Sequence, residues 1–190
     1  MSKKFKLGVL GDPIEHSLSP FIHSRFSRNE NINLEYLPYR VEEANFDKFI
    51  KDFFSDKLAK GLNITLPHKK RAAKIEGNIS SEAKYINAVN TINNKDNELF
   101  LFSTDGIGFI NDIDNKGFSL EGKKILIIGA GAAIESIMYR VAKSSPKEIS
   151  IFNRTEEKAD RLIRKFSNMT TISSDLNNEV TYCLLYTSDA

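Results

Sequence analysis

The fold of this chain is decided by the stretch Ile125-Leu126-Ile127-Ile128-Gly129-Ala130-Gly131-Ala132-Ala133. Its unbroken aliphatic run predicts a strand that is buried on both faces, as in a parallel sheet. The two glycines predict a tight turn, and a helix is expected from about 134 to 143. With a second strand over 148–152 and a second helix over 155–166, this forms a βαβα unit of the dinucleotide-binding (Rossmann) type.

The glycine-rich turn is a candidate phosphate-binding site. Gly129 permits the turn, and Gly131 lets the backbone approach a pyrophosphate at the helix N-terminus. Ile134 stands where such turns usually carry a third glycine, so a tight structural turn without a ligand is the alternative. The candidate contacts to a cofactor are Gly129, Ala130, Gly131, Ala132 and Ala133.

Basic residues follow the second strand, at the place where NAD-binding sites carry an acidic residue. The chain has Asn153-Arg154-Thr155 there, with Lys158 one helical turn further on. A guanidinium and an ammonium favour a ribose 2′-phosphate through charge-assisted hydrogen bonds. These residues predict NADP, and the alternative is a solvated basic helix start.

The chain upstream of this unit also alternates strands with helices, which argues for an α/β layer architecture. Ser19-Pro20 is typical of an N-cap followed by proline, and the helix after it is expected to turn Phe21, Ile22 and Phe26 inward. Strands are expected over 5–10, 34–41, 60–66, 89–92 and 99–102, and further helices over 44–54, 68–75, 80–87 and 106–116.

Composition excludes several classes of protein. The 190 residues are 41% hydrophobic with a net charge of +2, and the lysines are spread along the chain, so nucleic-acid binding is not expected. The apolar run Leu7–Leu10 is too short for a signal peptide or a membrane span. The single cysteine, Cys183, suits the reducing cytoplasm, and no cluster has the spacing of metal ligands.

Four polar clusters follow one another in the first part of the chain. They are Ser17-Leu18-Ser19-Pro20, Asn63-Ile64-Thr65-Leu66-Pro67-His68-Lys69, Asn87-Ala88-Val89-Asn90-Thr91 and Ser103-Thr104-Asp105-Gly106. Hydroxyl and amide groups suit a small polyhydroxylated acid, and Lys69 can protonate a developing alkoxide with Asp105 beside it. Taken singly, each cluster has a plainer interpretation: a helix cap, a turn or a solvated lysine.

Taken together with the glycine-rich turn, these clusters resemble the shikimate dehydrogenase family over about positions 5 to 170. The resemblance implies a cytoplasmic oxidoreductase that uses NADP and reversibly reduces 3-dehydroshikimate to shikimate, in the chorismate route to aromatic amino acids. It implies that Lys69 and Asp105 form the catalytic pair and also contact substrate. Ser17 and Ser19 match the family's carboxylate-binding serines, and its hydroxyl-binding residues correspond to Asn63, Thr65 and Asn90.

The resemblance also implies the domain organisation. We expect an N-terminal substrate domain over 1–105, with a mostly parallel mixed sheet flanked by helices. A linker helix over 106–118 and a partial Rossmann-type NADP domain over 119–190 follow. Positions 171–190 show no clear family motif, so the chain is expected to be C-terminally truncated, with apolar surface exposed on 125–128 and 149–152.

Two alternatives to this function stay open at this point. A truncated, non-catalytic module could bind shikimate without turning it over. A quinate/shikimate dehydrogenase using NAD is disfavoured by Arg154, and the related domain of glutamyl-tRNA reductase carries a similar Asn-Arg-Thr pattern. The oligomeric state is undecided, with a homodimer as one alternative.

Overall fold

The computed structural model describes residues 4–175 and the backbone of 183–186. The chain divides into two compact units, Met1–Ser103 and Thr104–Ala190. The expected linker helix corresponds to a helix over Asp105–Asn115, which is grouped with the second unit.

The first unit is built on a six-stranded mixed sheet. Its elements in chain order are β1 (Phe5–Gly11), α1 (Ser19–Asn29), β2 (Leu34–Arg40), a 3₁₀ turn (Glu43–Asn45), α2 (Phe46–Phe54), β3 (Ala59–Ile64), α3 (Lys69–Ala72), β4 (Asn78–Ile79), α4 (Ser81–Ile86), β5 (Thr91–Lys95) and β6 (Glu98–Phe102).

The strand order is β2-β1-β3-β5-β6-β4, with β2, β1 and β3 parallel and β5 antiparallel to both of its neighbours. The β5–β6 hairpin turns on Asp96 and Asn97, whose φ angles are 54° and 66°. Asp and Asn tolerate this left-handed conformation, which two-residue hairpin turns require. The turn is shorter than the sequence suggested because Asn94 is buried in β5, where its Nδ2 donates to the Ala59 carbonyl at 3.0 Å.

The two faces of this sheet bury different cores. One face carries the larger cluster, with Leu10, Leu62 and Ile64 from the strands and Phe46 and Ile50 from α2. The helix predicted over 44–54 is therefore confirmed as α2, with its apolar side packed on this core. The other face carries a small cluster of Val9, Ile14 and Tyr36, with Leu7 and Leu34 packed against it.

Helix α1 differs from the prediction. Phe21, Ile22 and Phe26 are 60%, 43% and 57% exposed, so the expectation that they point inward is wrong. The side of α1 toward the sheet instead carries His23, whose ring stacks on Tyr36 with centroids 4.1 Å apart and planes 5° apart. Ser19 and Ser27 lie four residues to either side of His23, on the same face of the helix.

The second unit contains a four-stranded, all-parallel sheet in the order β10-β7-β8-β9. Its elements are α5 (Asp105–Asn115), β7 (Lys124–Ile128), α6 (Ala132–Lys143), β8 (Glu148–Phe152), α7 (Glu156–Phe166), β9 (Ile172–Ser173) and β10 (Cys183–Tyr186). This is the predicted Rossmann-type arrangement of parallel strands joined by crossover helices.

The aliphatic strands of this unit are covered. Ile125, Ile127, Ile149 and Ile151 are each at most 1% exposed, so the expected exposure of apolar surface is wrong for these side chains. Leu126 and Ile128 are partly exposed, and Phe152 at the end of β8 is half exposed. Strand β7 lies between β8 and β10, and helix α7 packs against β8 and β9. The interpretation of 171–190 as lacking a family motif falls largely outside the described residues.

No helix in the described part of the chain is long and apolar enough to cross a membrane.

Candidate functional site

The polar clusters of the first unit meet at one edge of its sheet. β1 and β3 run parallel and end at this edge, and the antiparallel strand β5 begins there. The segments that carry Ser17 and Ser19, Asn63 and Thr65, and Asn90 are therefore neighbours. Their backbones are tied together, because the Thr65 amide donates to the Leu10 carbonyl at 2.9 Å and the Ile64 amide donates to the Asn90 carbonyl at 2.7 Å.

Ser17, Ser19 and Thr65 line one cleft at this edge, together with Val9, Pro13, Ile14 and His16. We call it the serine cleft. Its two walls approach closely at Gly11, where a Cβ atom would lie 2.5 Å from Thr65 Cγ2 and 3.1 Å from the Leu66 carbonyl oxygen. Only glycine fits there, because Cβ contacts below 3.0 Å essentially never occur.

The start of α1 corrects one detail of the sequence interpretation. Leu18 is the N-cap, no side chain caps the helix from that position, and Ser19 is already helical. The Ser17 hydroxyl instead accepts the Ser19 amide at 3.3 Å.

A line of hydrogen-bonded side chains runs across the sheet, from β2 to the start of β5. The Tyr36 hydroxyl donates to Asn63 Oδ1 at 2.7 Å, and Asn63 Nδ2 donates to Thr91 Oγ1 at 3.2 Å. The Thr91 hydroxyl in turn donates to Asn90 Oδ1 at 3.0 Å. We call Tyr36, Asn63, Thr91 and Asn90 the hydroxyl–amide chain.

The sheet register explains this line. Tyr36 of β2 lies beside Leu7, and Asn63 of β3 lies beside Val9, so both side chains emerge on the same face, across β1. Thr91 lies directly opposite Asn63 in the antiparallel pair β3–β5. Neither Tyr36 nor Thr91 was assigned a role from the sequence.

Lys69 is the first residue of α3 and is half-buried. Its carbonyl accepts the Val89 amide at 2.9 Å, which ties α3 to the loop that carries Asn90. The preceding residue, His68, is fully buried, with its ring stacked on Phe46 and its Nε2 2.6 Å from the Val41 carbonyl oxygen. The backbone of Lys69 is thus anchored from both sides at the edge of the sheet that carries the serine cleft.

A wider groove lies between α2 and α3, but it is lined by none of the predicted site residues. Among its charged groups, Arg71 pairs with Asp47 at 2.6 Å and also donates to the Glu43 carbonyl at 2.8 Å. Asp105 lies in the second unit as the first residue of α5, where a carboxylate interacts favourably with the helix dipole. The described residues include no group of His, Cys, Asp or Glu side chains that could hold a metal ion.

The glycine-rich turn joins β7 to the N-terminus of α6. Gly129 has φ of 113°, which side-chain-bearing residues rarely adopt, and its amide donates to the Phe152 carbonyl at 2.8 Å. Gly131 is the N-cap of α6. Ala132 and Ala133 are exposed at the helix start, whereas Ala130 is buried. Ile134 is fully buried, so the position of the usual third glycine is filled by a core side chain.

Asn153 fastens this turn to the loop after β8. Its Oδ1 accepts the Ala130 amide at 2.9 Å, and its Nδ2 donates to the Thr155 carbonyl at 2.7 Å. The sequence placed Asn153 among the cofactor contacts, whereas its amide group is used here on the backbone. Thr155 is the N-cap of α7 without a side-chain capping bond, and Arg154 and Lys158 are exposed.

These features fit a dinucleotide that carries a 2′-phosphate. The backbone amides at the start of α6 can approach a pyrophosphate, and Arg154 and Lys158 follow the second strand with no acidic residue at its end.

Comparison with known proteins gives two matching family models. Residues 9–92 match the shikimate dehydrogenase substrate binding domain, and residues 112–184 match shikimate / quinate 5-dehydrogenase.

The curated relatives agree with these models. The chain is 40% identical over 166 residues to the shikimate dehydrogenase (NADP(+)) of Saccharophagus degradans, covering 86% of this chain and 59% of that protein. It is 36% identical to the enzyme of the same name from Buchnera aphidicola, covering 97% of this chain and 69% of that protein. The chain thus spans only 59% and 69% of the length of these two relatives.

Among solved structures, shikimate 5-dehydrogenase from Thermus thermophilus, in complex with NADP(H) and shikimate, is 29% identical with a TM-score of 0.78. The match covers 88% of this chain and 62% of that one. Sequence relatives, family models and a solved structure with the same fold all point the same way, and the chain belongs to the shikimate dehydrogenase family.

Proposed function

We propose that this chain provides the substrate-binding and cofactor-binding parts of an NADPH-dependent shikimate dehydrogenase. Such an enzyme interconverts 3-dehydroshikimate and shikimate in chorismate biosynthesis. The observation that carries the proposal is the convergence of the serine cleft, the hydroxyl–amide chain and the start of α3 with Lys69 at one sheet edge. A small acid with several hydroxyl groups suits such a set of hydroxyl and amide groups.

We assign the substrate contacts from this arrangement. Ser17 and Ser19 are proposed to bind the carboxylate, and Asn63, Thr65 and Asn90 to bind the ring hydroxyls. Lys69 is proposed as the proton donor to the ketone oxygen, because an ammonium stabilises the charge that develops there. Asp105 is proposed as the second member of the catalytic pair on the basis of the family resemblance.

The cofactor is proposed to be NADP, held by the glycine-rich turn (Gly129 to Ala133), Arg154, Thr155 and Lys158. Bound NADPH supplies the hydride that reduces the ring ketone. Arg154 and Lys158 are proposed to pair with the 2′-phosphate, which also disfavours the NAD-dependent quinate/shikimate alternative. The single cysteine in the sequence supports a cytoplasmic location for the protein.

Three titrations of the purified chain test the proposal. Shikimate should shift the amide resonances of Ser17, Ser19 and Thr65, and NADPH should bind more tightly than NADH. Addition of 3-dehydroshikimate and NADPH should then give turnover, followed at 340 nm. Binding of shikimate without turnover would support the non-catalytic alternative, and no response to millimolar shikimate would contradict both.

A further inference from the structure

Every link of the hydroxyl–amide chain donates in the same direction. Tyr36 donates to Asn63, Asn63 donates to Thr91, and Thr91 donates to Asn90. Hydrogen bonds arranged head to tail polarise and strengthen one another in a low-dielectric site. The direction of each donor is therefore set by its neighbours.

The chain fixes the orientation of the Asn63 carboxamide. Thr91 has committed its only hydroxyl hydrogen to Asn90, so toward Asn63 it can only accept. At the other end, Tyr36 presents a hydroxyl hydrogen that needs an oxygen acceptor. A carboxamide turned by 180° would place an NH₂ group against the Tyr36 hydrogen and an oxygen against the Thr91 oxygen, so the Tyr36 hydroxyl would lose its acceptor and Thr91 would have to give up its bond to Asn90.

Tyr36 is suited to act as a fixed donor. It is 7% exposed, and its ring is held between the small apolar cluster and the stacked His23. Burial raises the pKa of Tyr36 well above its ordinary value, and the nearby Ser19 hydroxyl opposes this only in part. The phenol therefore keeps its proton over the pH range in which enzymes are normally assayed.

We infer that Tyr36 is a positioning residue, which orients the Asn63 carboxamide so that Asn63 presents an N–H donor to a hydroxyl oxygen of the ligand. The inference rests on the proposed function, because it names how that site holds its substrate. Asn63 uses one amide hydrogen on Thr91, and within the described part of the chain the second has no other partner.

The test compares Tyr36→Phe with Tyr39→Phe, a matched loss of a hydroxyl from the same strand. Tyr36→Phe keeps the ring that stacks on His23 and removes only the donor to Asn63. Tyr39 packs against Phe49 and Phe53 in the other core and is outside the hydroxyl–amide chain. Melting temperatures of both variants establish that they fold.

Two readouts are expected to separate the variants. In Tyr36→Phe the side-chain amide resonances of Asn63 should shift and broaden, and the Kd for shikimate should rise about three- to tenfold, as for loss of one hydrogen bond. Tyr39→Phe should leave the Asn63 resonances in place and should change the Kd for shikimate by no more than a factor of about two. Equal behaviour of the two variants in both readouts would overturn the inference.

A double-mutant cycle distinguishes the positioning of Asn63 from a general structural effect of Tyr36→Phe. Thr91→Val removes the other partner of Asn63 with little change of shape, so its effect on the shikimate Kd should be less than additive with Tyr36→Phe. The same cycle with Tyr39→Phe should be additive, and additivity in both cycles would contradict the inference. If the unaltered chain bound no shikimate, the proposed function would fail, and the Asn63 resonances would still decide whether Tyr36 orients that amide.

Discussion

The hydroxyl–amide chain of the first unit and the glycine-rich turn of the second unit hold their polar groups in opposite ways. The first places side chains from β2, β3 and the start of β5 so that they donate to one another. The second presents backbone groups of one short segment, fastened by the single side chain of Asn153. Removal of one side chain from the hydroxyl–amide chain should therefore disturb the hydrogen bonds of its neighbours. The conformation of the glycine-rich turn should instead depend mainly on the Asn153 hydrogen bonds and on Gly129.

The largest effect is expected where chemistry depends on one side chain. Lys69→Ala should lower kcat by about 10²–10⁴-fold, the usual contribution of a general acid, and should weaken shikimate binding far less. Steady-state kinetics with 3-dehydroshikimate and NADPH measure both, with the adjacent exposed residue in Lys70→Ala as the control. Asp105→Asn should also lower kcat, and the double variant should lose less than the sum of the two. A rise in KM alone for Lys69→Ala would make Lys69 a binding residue.

The next largest effect is expected on cofactor affinity in the second unit. Arg154→Ala should weaken NADPH binding by roughly ten- to a hundredfold, because it removes a charge-assisted contact to the 2′-phosphate. NADH lacks that phosphate, so its affinity should change little. Titration of both dinucleotides gives the ratio of their affinities. Equal affinities in the unaltered chain would contradict the assignment of NADP.

Asn153→Ala should have a smaller effect of a different kind. It removes the bonds to the Ala130 amide and the Thr155 carbonyl, so the turn and the β8–α7 loop lose their fastening. NADPH and NADH should both bind about three- to tenfold more weakly, with their ratio unchanged. Asn115→Ala, at the exposed end of α5, serves as the control. A loss confined to NADPH would show that Asn153 contacts the 2′-phosphate directly.

The smallest effect is expected on the exposed face of α1. Phe21→Ala should change the free energy of unfolding by no more than about 0.5 kcal/mol, since the ring is 60% exposed. Phe46→Ala, in the fully buried core of the same unit, should cost about 3–5 kcal/mol. Urea denaturation measures both. A large loss of unfolding free energy for Phe21→Ala would mean that the apolar side chains of α1 are packed against the rest of the protein.

The comparison also explains what the sequence could predict. The strand, turn and helix of the second unit follow from residues that are adjacent in the chain. The aliphatic run and the two glycines were therefore sufficient to predict β7 and α6. The polar clusters of the first unit were visible, but their mutual bonds were not. Tyr36 and Asn63 are separated by 27 positions, and only the register of β2, β1 and β3 brings them together.

Helix α1 shows a second limit of sequence reasoning. Its apolar residues suggested a buried face, yet the side toward the sheet carries His23, which stacks on Tyr36. Likewise, Asn94 lies in a polar stretch that suggested a turn, yet it belongs to a strand and its side chain reaches the Ala59 carbonyl 35 positions away. In both cases a contact between residues distant in the chain overrides a local sequence pattern, and such contacts require the folded sheet.

Gly11 has a consequence for how this binding site can evolve. The loop after β1 and the loop after β3 meet at a point where a hydrogen atom is the only substituent that fits, because a methyl group would collide with Thr65 and the Leu66 carbonyl. Substitutions at position 11 therefore cannot change the spacing between the two walls of the serine cleft gradually. Descendants of this sequence that accept a bulkier acid would have to gain the room on the rim, by exchanges at His16 or Pro13, and would keep glycine at position 11.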